Sequence, residues 1–383
     1  MIATAPTEAA RHDAPMPDLT ELFVTYVQGW LPDSFVRALI RMLLRNTAKR
    51  LNQCDWPQKE LRFIERMRAS SEQGSQSIAV DTAAANEQHY EVPTEFFLTY
   101  LGPCLKYSSC EWPSPSSTLA EAEVHTLDIY IDHLWPGGQA PDGHRVLDIG
   151  CGWGSFTLYA ARRFPRCEFV CFSNSATQIA HITRTAAERG LHNVRALRLD
   201  INTLSAATLQ ARGVLPRPFD RVFACESLEH SRNYETLFRR IREIVDPAGR
   251  LFFQVLGHRS YTYLMDSSSW MGRNFFTGGT IPSMQLFLHF NRDLVVEKTV
   301  VIKGSEYART LNAWMDKMHE NRERCVVALT DGGSRSLGST RFEAWRTFML
   351  MSAEAFGLGR GQEWMVGYYI LRPADAPVPS SKL

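Results

Sequence analysis

The chain has 383 residues, 44% hydrophobic and 22% charged. That composition fills one sizeable core with an appendage and excludes a disordered tail or a mini-protein. Its 42 Lys and Arg against 41 Asp and Glu leave a formal charge of +1, so the basic excess that neutralises a run of phosphates is missing and a dedicated nucleic-acid-binding function is excluded.

The first 18 residues, rich in Ala, Pro and charge, read as a disordered lead without the apolar core of a secretory signal. No stretch approaches the roughly 20 apolar residues of a membrane span. From Leu19 to about Ser71 the pattern is helical. Phe35, Leu39, Met42, Leu43 and the Leu51 region form an apolar face, and Arg37, Arg41, Arg45 and Lys49 recur every four residues on another. That basic stripe either faces solvent or meets a membrane or an anionic ligand. Residues 70–86 (SSEQGSQSIAVDTAAAN) read as a linker or the edge of a lid.

After Pro113 short apolar runs alternate with helical segments: HRVLDIG (144–150), CEFVCFS (167–173), NVRALRLD (193–200), RVFACE (221–226) and GRLFFQVL (249–256). This is the pattern of an α/β fold with a mostly parallel sheet covered on both faces, whose ligands sit at the carboxyl ends of the strands. The eight cysteines, at 54, 104, 110, 151, 167, 171, 225 and 325, contain no C-x-x-C pair. Reduced thiols in a cytoplasmic protein are expected, and no metal site. The chain ends in a Pro/Ala/Ser-rich tail and Ser381-Lys382-Leu383, the address read by the peroxisomal import receptor if the source is a eukaryote.

Directly after the first strand, Gly150, Gly152 and Gly154 alternate in Asp148-Ile149-Gly150-Cys151-Gly152-Trp153-Gly154. Without side chains there, the backbone can approach a ligand at the start of the next helix. A glycine loop also suits dinucleotides, but G-x-G-x-G differs from G-x-G-x-x-G. VLDIGCGWG resembles motif I of S-adenosylmethionine-dependent methyltransferases. In that family an acidic residue commonly closes the second strand; here Ser173-Asn174-Ser175 stands there, followed by Gln178. Asp200 and Ile201, after the third strand, fit the adenine contact, or Asp200 is an ordinary solvent-facing residue.

The fourth strand runs into Cys225-Glu226-Ser227-Leu228-Glu229-His230. As one helical turn, Glu226, Glu229 and His230 at i, i+3 and i+4 would share a face beside the reacting methyl. A carboxylate can orient an imidazole and raise its basicity, which suits proton removal from an incoming nucleophile. The bland alternative is a helix cap, for which Ser231 or Asn233 is the better candidate.

The segments HYEVPTEFF (89–97), LKYSSCEWP (105–113), VLDIGCGWGS, ESLEH, FFTGGTIPS (275–283), AWRTFML (344–350) and EWMVGYYIL (363–371) together resemble the coclaurine N-methyltransferase group of the cyclopropane fatty acid synthase superfamily. The likeness runs from about residue 85 to 374. It implies a Rossmann-like methyltransferase domain over 119–374 with a substrate-lid insertion at about 257–360. An N-terminal helical region and lid would cover 19–118, after a lead at 1–18, with a flexible tail at 375–383. It also implies S-adenosylmethionine as methyl donor and a small amine as substrate. Glu226 matches the E-x-x-E-H of the amine branch, where cyclopropane synthases have G-x-x-E-H. Gln254 stands where those synthases resemble one another in having a His, and Ser109, or Cys110 with a one-residue slip, where they have a Cys.

By the same resemblance, His230 is the expected base, with Glu229 orienting it and Glu226 and Glu91 attracting the ammonium. Tyr107 and Ser108 close over the methionine part of the donor, and Tyr307 belongs to both branches. Tyr261, Phe275 and Phe276 are the expected substrate residues of an aromatic lid, or else core. A lipid-modifying enzyme is the alternative, favoured by the basic helix; an inactive binding protein is a third. A homodimer is the default expectation, and membrane contact is not favoured.

Overall fold

The computed structural model describes residues 32–52, 56–72, 77–79 and 92–376. Glu91, the 1–18 lead and the Ser381–Leu383 ending lie outside them.

Two helices, α1 (Asp33–Asn52) and α2 (Trp56–Glu72), precede the short α3 (Thr94–Tyr100) and α4 (Leu119–Leu134). The alternating core follows as β1 (Arg145–Ile149), α5 (Ser155–Arg163), β2 (Glu168–Ser173), α6 (Ala176–Glu188), β3 (Val194–Arg198), α7 (Ala206–Ala211), β4 (Phe219–Cys225), α8 (Tyr234–Arg242) and β5 (Val245–His258). Next come β6 (Tyr263–Leu264), α9 (Trp270–Asn274), β7 (Thr280–Ile281) and β8 (Leu294–Ile302). The helices α10 (Gly304–Glu320), α11 (Arg322–Thr330) and α12 (Arg335–Gly357) lead to β9 (Trp364–Pro373).

Seven strands form one sheet in the order β3-β2-β1-β4-β5-β9-β8. The first five are parallel, while β9 runs antiparallel to both of its neighbours, β5 and β8. Every residue of β1 is buried, because helices cover both faces and no alternation with polar residues is needed. The register pairs Ile149 with Ala224 and Cys225 with Gln254, so the motif-bearing ends of β1, β4 and β5 come out side by side.

Local sequence explains the helix starts. Thr118 and Glu121 form a reciprocal capping box at α4, and Ser175 accepts the Gln178 N–H at α6. Of the two cap candidates for α8, it is Asn233 that accepts the Thr236 N–H, at 3.0 Å.

The inward face of α1 differs from the expected one. Val36, Ile40 and Ala48 are buried, while Phe35 and Met42 are 56% and 51% exposed, a rotation of one residue, about 100°. The reason lies in α12. Arg37 Nη1 and Arg41 Nε donate to the two oxygens of Glu354 at 2.7 and 2.5 Å, and Arg37 Nη2 donates to Asn312 at 2.6 Å. Arg37 and Arg41 therefore dock the helix, though Arg41 stays exposed, as do Arg45 and Lys49. No described helix is long and apolar enough to cross a membrane.

Candidate active site

At the end of β1 the chain turns through Gly150, Gly152 and Gly154, all left-handed, with φ of 68°, 53° and 81°. A Cβ on Gly150 would stand 2.5 Å from that of Ser227, whereas one on Gly152 would meet nothing within 4 Å. Gly150 thus permits the close approach of the β4 loop, and Gly152 opens onto a cavity. Gly154 lines neither cavity described below. A Cβ there would stand 2.7 Å from Ile182 Cγ1, so the missing side chain lets α6 pack close.

Two adjoining cavities share Gly150, Gly152 and Gln178. Ser173, Asn174, Asp200, Ile201 and His230 line the first, closed over by Ala79. Tyr107, Ser108, Asp148, Cys225 and Glu226 line the second. Ala79 is held by Asn202, whose Oδ1 accepts the N–H groups of Ile78 and Ala79 at 2.7 and 2.9 Å. Asp200 in turn accepts the Asn202 N–H at 2.8 Å, so it is the organiser of this wall and not a solvated strand end.

The polar groups fit a ligand carrying an adenosine and an amino acid. Ser173 Oγ donates to Gln178 Oε1 at 2.7 Å, and Gln178 Nε2 is buried with no partner among the described residues. A buried donor left open toward both cavities calls for a polar ligand atom. Asp148 is held by Thr157, at 2.7 Å; burial pushes its carboxyl up to about 7, against that hydrogen bond. A ligand ammonium beside it would restore the carboxylate.

On the wall of the second cavity stands Glu226. Its Oε1 accepts the Ser109 N–H at 3.0 Å and Gln254 Nε2 at 2.6 Å, and its Oε2 accepts the Tyr307 hydroxyl at 2.7 Å. Burial pushes this carboxyl up; the charge of Lys106 opposes the rise most, followed by the three hydrogen bonds.

The expected single helical turn is not formed. Glu226 is left-handed, with φ 46°, and only Leu228–His230 make a turn, of 3-10 type. Consequently Glu226 lines one cavity and His230 the other. Glu229 is buried between them and faces β5, where its Oε1 accepts the Leu256 N–H at 2.6 Å. It does not orient His230 through that oxygen. Its other oxygen has no hydrogen-bond partner among the described residues, and burial, reinforced by the Glu226 charge, holds its carboxyl well above the usual range.

Of the expected lid residues, Phe276 meets the site, its ring edge-on to His230 at 5.2 Å. Phe275 and Tyr261 do not. Phe275 stacks on Phe348 at 4.5 Å and abuts Trp345. Tyr261 packs on His258 at 4.8 Å and donates to Asn52 at 3.0 Å. Both are core, because the segment that carries them is pinned between α1, α2 and α12.

Tyr130 and Asn202 belong to the site without a motif to announce them, and Lys106 joins them from within the 105–113 segment, where it is not singled out. Lys106 and Tyr130 are buried, and a Lys between Leu105 and Tyr107 gives no sequence signal of burial. Tyr130 could have been found on the inward face of α4, from where its hydroxyl donates to Gln254 Oε1.

A glycine-walled cradle after β1, an acid on the cavity wall after β3 and a doubly wound sheet define a Rossmann-like S-adenosylmethionine-dependent methyltransferase. More narrowly, the chain belongs to the mycolic acid cyclopropane synthetase family, which matches residues 79–364. It is 30% identical to an (S)-coclaurine N-methyltransferase of Thalictrum flavum subsp. glaucum, over 92% of this chain and 96% of that one. It is 27% identical to the cyclopropane-fatty-acyl-phospholipid synthase of Escherichia coli, over 60% of this chain and 55% of that one. The crystal structure of coclaurine N-methyltransferase bound to N-methylheliamine and S-adenosylhomocysteine superposes with a TM-score of 0.81 at 29% identity, covering 92% of this chain and 99% of that one. A cyclopropane synthase of Mycobacterium tuberculosis shares the fold, with a TM-score of 0.62 at 20% identity over 77% of this chain and 99% of that one.

Proposed function

We propose that this enzyme methylates the nitrogen of a small alkaloid-like or aryl-alkyl amine. The observation that carries the proposal is the Glu226 carboxylate, buried beside the donor cavity and held by three hydrogen-bond donors. A fixed negative charge in a low-dielectric site attracts an ammonium and stabilises positive charge as the new C–N bond forms.

Bound in the two cavities, S-adenosylmethionine supplies an electrophilic methyl group. Only a neutral amine has the lone pair to attack it, so the site must first receive the cation and then take its proton. Glu226 receives the cation, and a ring nitrogen of His230 accepts the proton. Phe276 meets the His230 ring edge-on and helps to fix its place. Glu91 is the further carboxylate proposed for the ammonium. Alignment in the cradle supplies much of the rate, since the donor is already activated.

Against lipid cyclopropanation stands Gln254. It has no titratable nitrogen, and it is wholly buried with its amide committed to Glu226 and Tyr130. The relatives named coclaurine N-methyltransferases also align over 92% of the chain, and the bacterial lipid enzyme over 60% of it. Methyl transfer from labelled S-adenosylmethionine, offered separately a panel of cyclic and aryl-alkyl amines and unsaturated phospholipid vesicles, tests the choice. Label is expected in an amine and falls steeply, though to a measurable rate, in Glu226→Gln with S-adenosylhomocysteine binding retained; label in lipid alone would refute it.

A further inference from the structure

Lys106 is the buried charge that the mechanism above does not use. Its side chain is fully shielded from solvent, which is costly for an ammonium unless its surroundings compensate. They do so on three sides. Nζ donates to Ser108 Oγ at 2.8 Å and to the Ser109 carbonyl, and it stands 5.2 Å from the centre of the Tyr130 ring. No carboxylate among the described residues pairs with it directly.

The partners of Lys106 are those of the reacting centre. Ser108 lines the cavity beside Glu226, and the Ser109 N–H donates to Glu226 Oε1. The segment needs tethering: Leu105 is left-handed, with φ 50°, a strained state for a residue with a side chain. Glu123 of α4 holds the backbone N–H groups of Cys104 and Lys106 at 2.8 and 3.3 Å, and the Lys106 head ties down its far end.

We propose that Lys106 is a positioning residue for amine methylation: through Ser109 it presents the N–H that fixes Glu226, and it supplies the counter-charge that keeps Glu226 an anion before the ammonium arrives. This rests on Glu226 as the ammonium-binding group. The titratable groups facing Glu226 are Tyr307 from α10, Cys225 from β4, Cys110 and Lys106 from the 105–110 segment, Tyr130 from α4, and Glu229. Among the influences on its carboxyl, the Lys106 charge is the largest that opposes the rise caused by burial.

Two variants remove the charge, one of them with the hydrogen bonding kept. Lys106→Gln keeps a hydrogen-bond donor without the charge, and Lys106→Met removes both. In each, kcat/KM for the amine should fall at least about tenfold at neutral pH, and the acidic limb of its pH profile should move to higher pH, because Glu226 protonates more readily. S-adenosylhomocysteine binding, within about threefold of the parent, serves as the folding check, and the Gln variant stands in if the Met variant does not fold. The Lys106→Met loss should also shrink in a Glu226→Gln background, as coupled residues require. An unmoved acidic limb in a folded variant, or an equal loss in both backgrounds, would overturn the role of Lys106. Full amine turnover by Glu226→Gln alone would instead overturn the assignment of Glu226.

Discussion

The Tyr307 hydroxyl, from the first turn of α10, donates a 2.7 Å hydrogen bond to Glu226 Oε2 at the end of β4. It brings the helical half of the molecule to the sheet at the point where the substrate nitrogen must sit. A hydrogen bond to a charged acceptor is worth about 1.5–3 kcal/mol. Tyr307→Phe should therefore lower kcat/KM for the amine roughly 10- to 100-fold and leave S-adenosylhomocysteine affinity unchanged. Steady-state kinetics with calorimetric titration of the product nucleoside checks both.

Gly152→Val should abolish donor binding. The residue is left-handed, and a side chain built on it points into the open cradle. Backbone strain and the occupied cavity act together. Equilibrium dialysis with labelled S-adenosylmethionine would show saturable binding lost while the circular dichroism spectrum is kept.

His230→Ala should lower kcat by about 10²- to 10⁴-fold, the range of a lost general base. Because His230 also forms part of the wall of the donor cavity, S-adenosylhomocysteine affinity should weaken too, by less than about tenfold for one edge contact. Full turnover at pH 7 in this variant would remove His230 from the mechanism.

Stability should fall on mild acidification through His258. Its ring is buried, and Nδ1 accepts the N–H groups of Ser260 and Tyr261 at 3.2 and 3.1 Å. Burial, aided by the charge of Arg259, depresses its pKa to about 4, below the ordinary value of about 6.5, and outweighs the Glu363 carboxylate 3.4 Å from Nε2, which makes no hydrogen bond to it. The folded state therefore holds the neutral ring. Its contribution is complete above pH 6.5 or so and is lost as the pH falls toward 4, by up to about 3 kcal/mol. Urea melts of His258→Asn, which offers an oxygen near the Nδ1 position, should show a flatter dependence across that interval than the parent.

Much of this protein was legible before any coordinates. The five parallel strands follow from short apolar runs between helical periods, because a strand covered on both faces has no polar side to show. The donor cradle follows from Gly150 and Gly152, because such a cradle is made of contiguous backbone at one strand end. The same holds for the placement of Glu226 and His230 after β4, since residues so close in sequence cannot stray far from the same strand end.

Tertiary structure alone decided how those residues divide the work. A left-handed Glu226 sends its carboxylate and the His230 ring into different cavities and turns Glu229 toward β5, an outcome that the spacing i, i+3, i+4 does not contain. The same is true of the aromatic residues: Phe276 reaches His230 while its neighbour Phe275 stacks in the core, and only the packing of α12 distinguishes them. The Tyr130 ring beside Lys106, the bonds of Arg37 and Arg41 to Glu354, and the grip of Asn202 on Ala79 each depend on partners far away in the chain. Burial and hydrogen-bond partnership are properties of the packed chain, and local pattern carries no record of them.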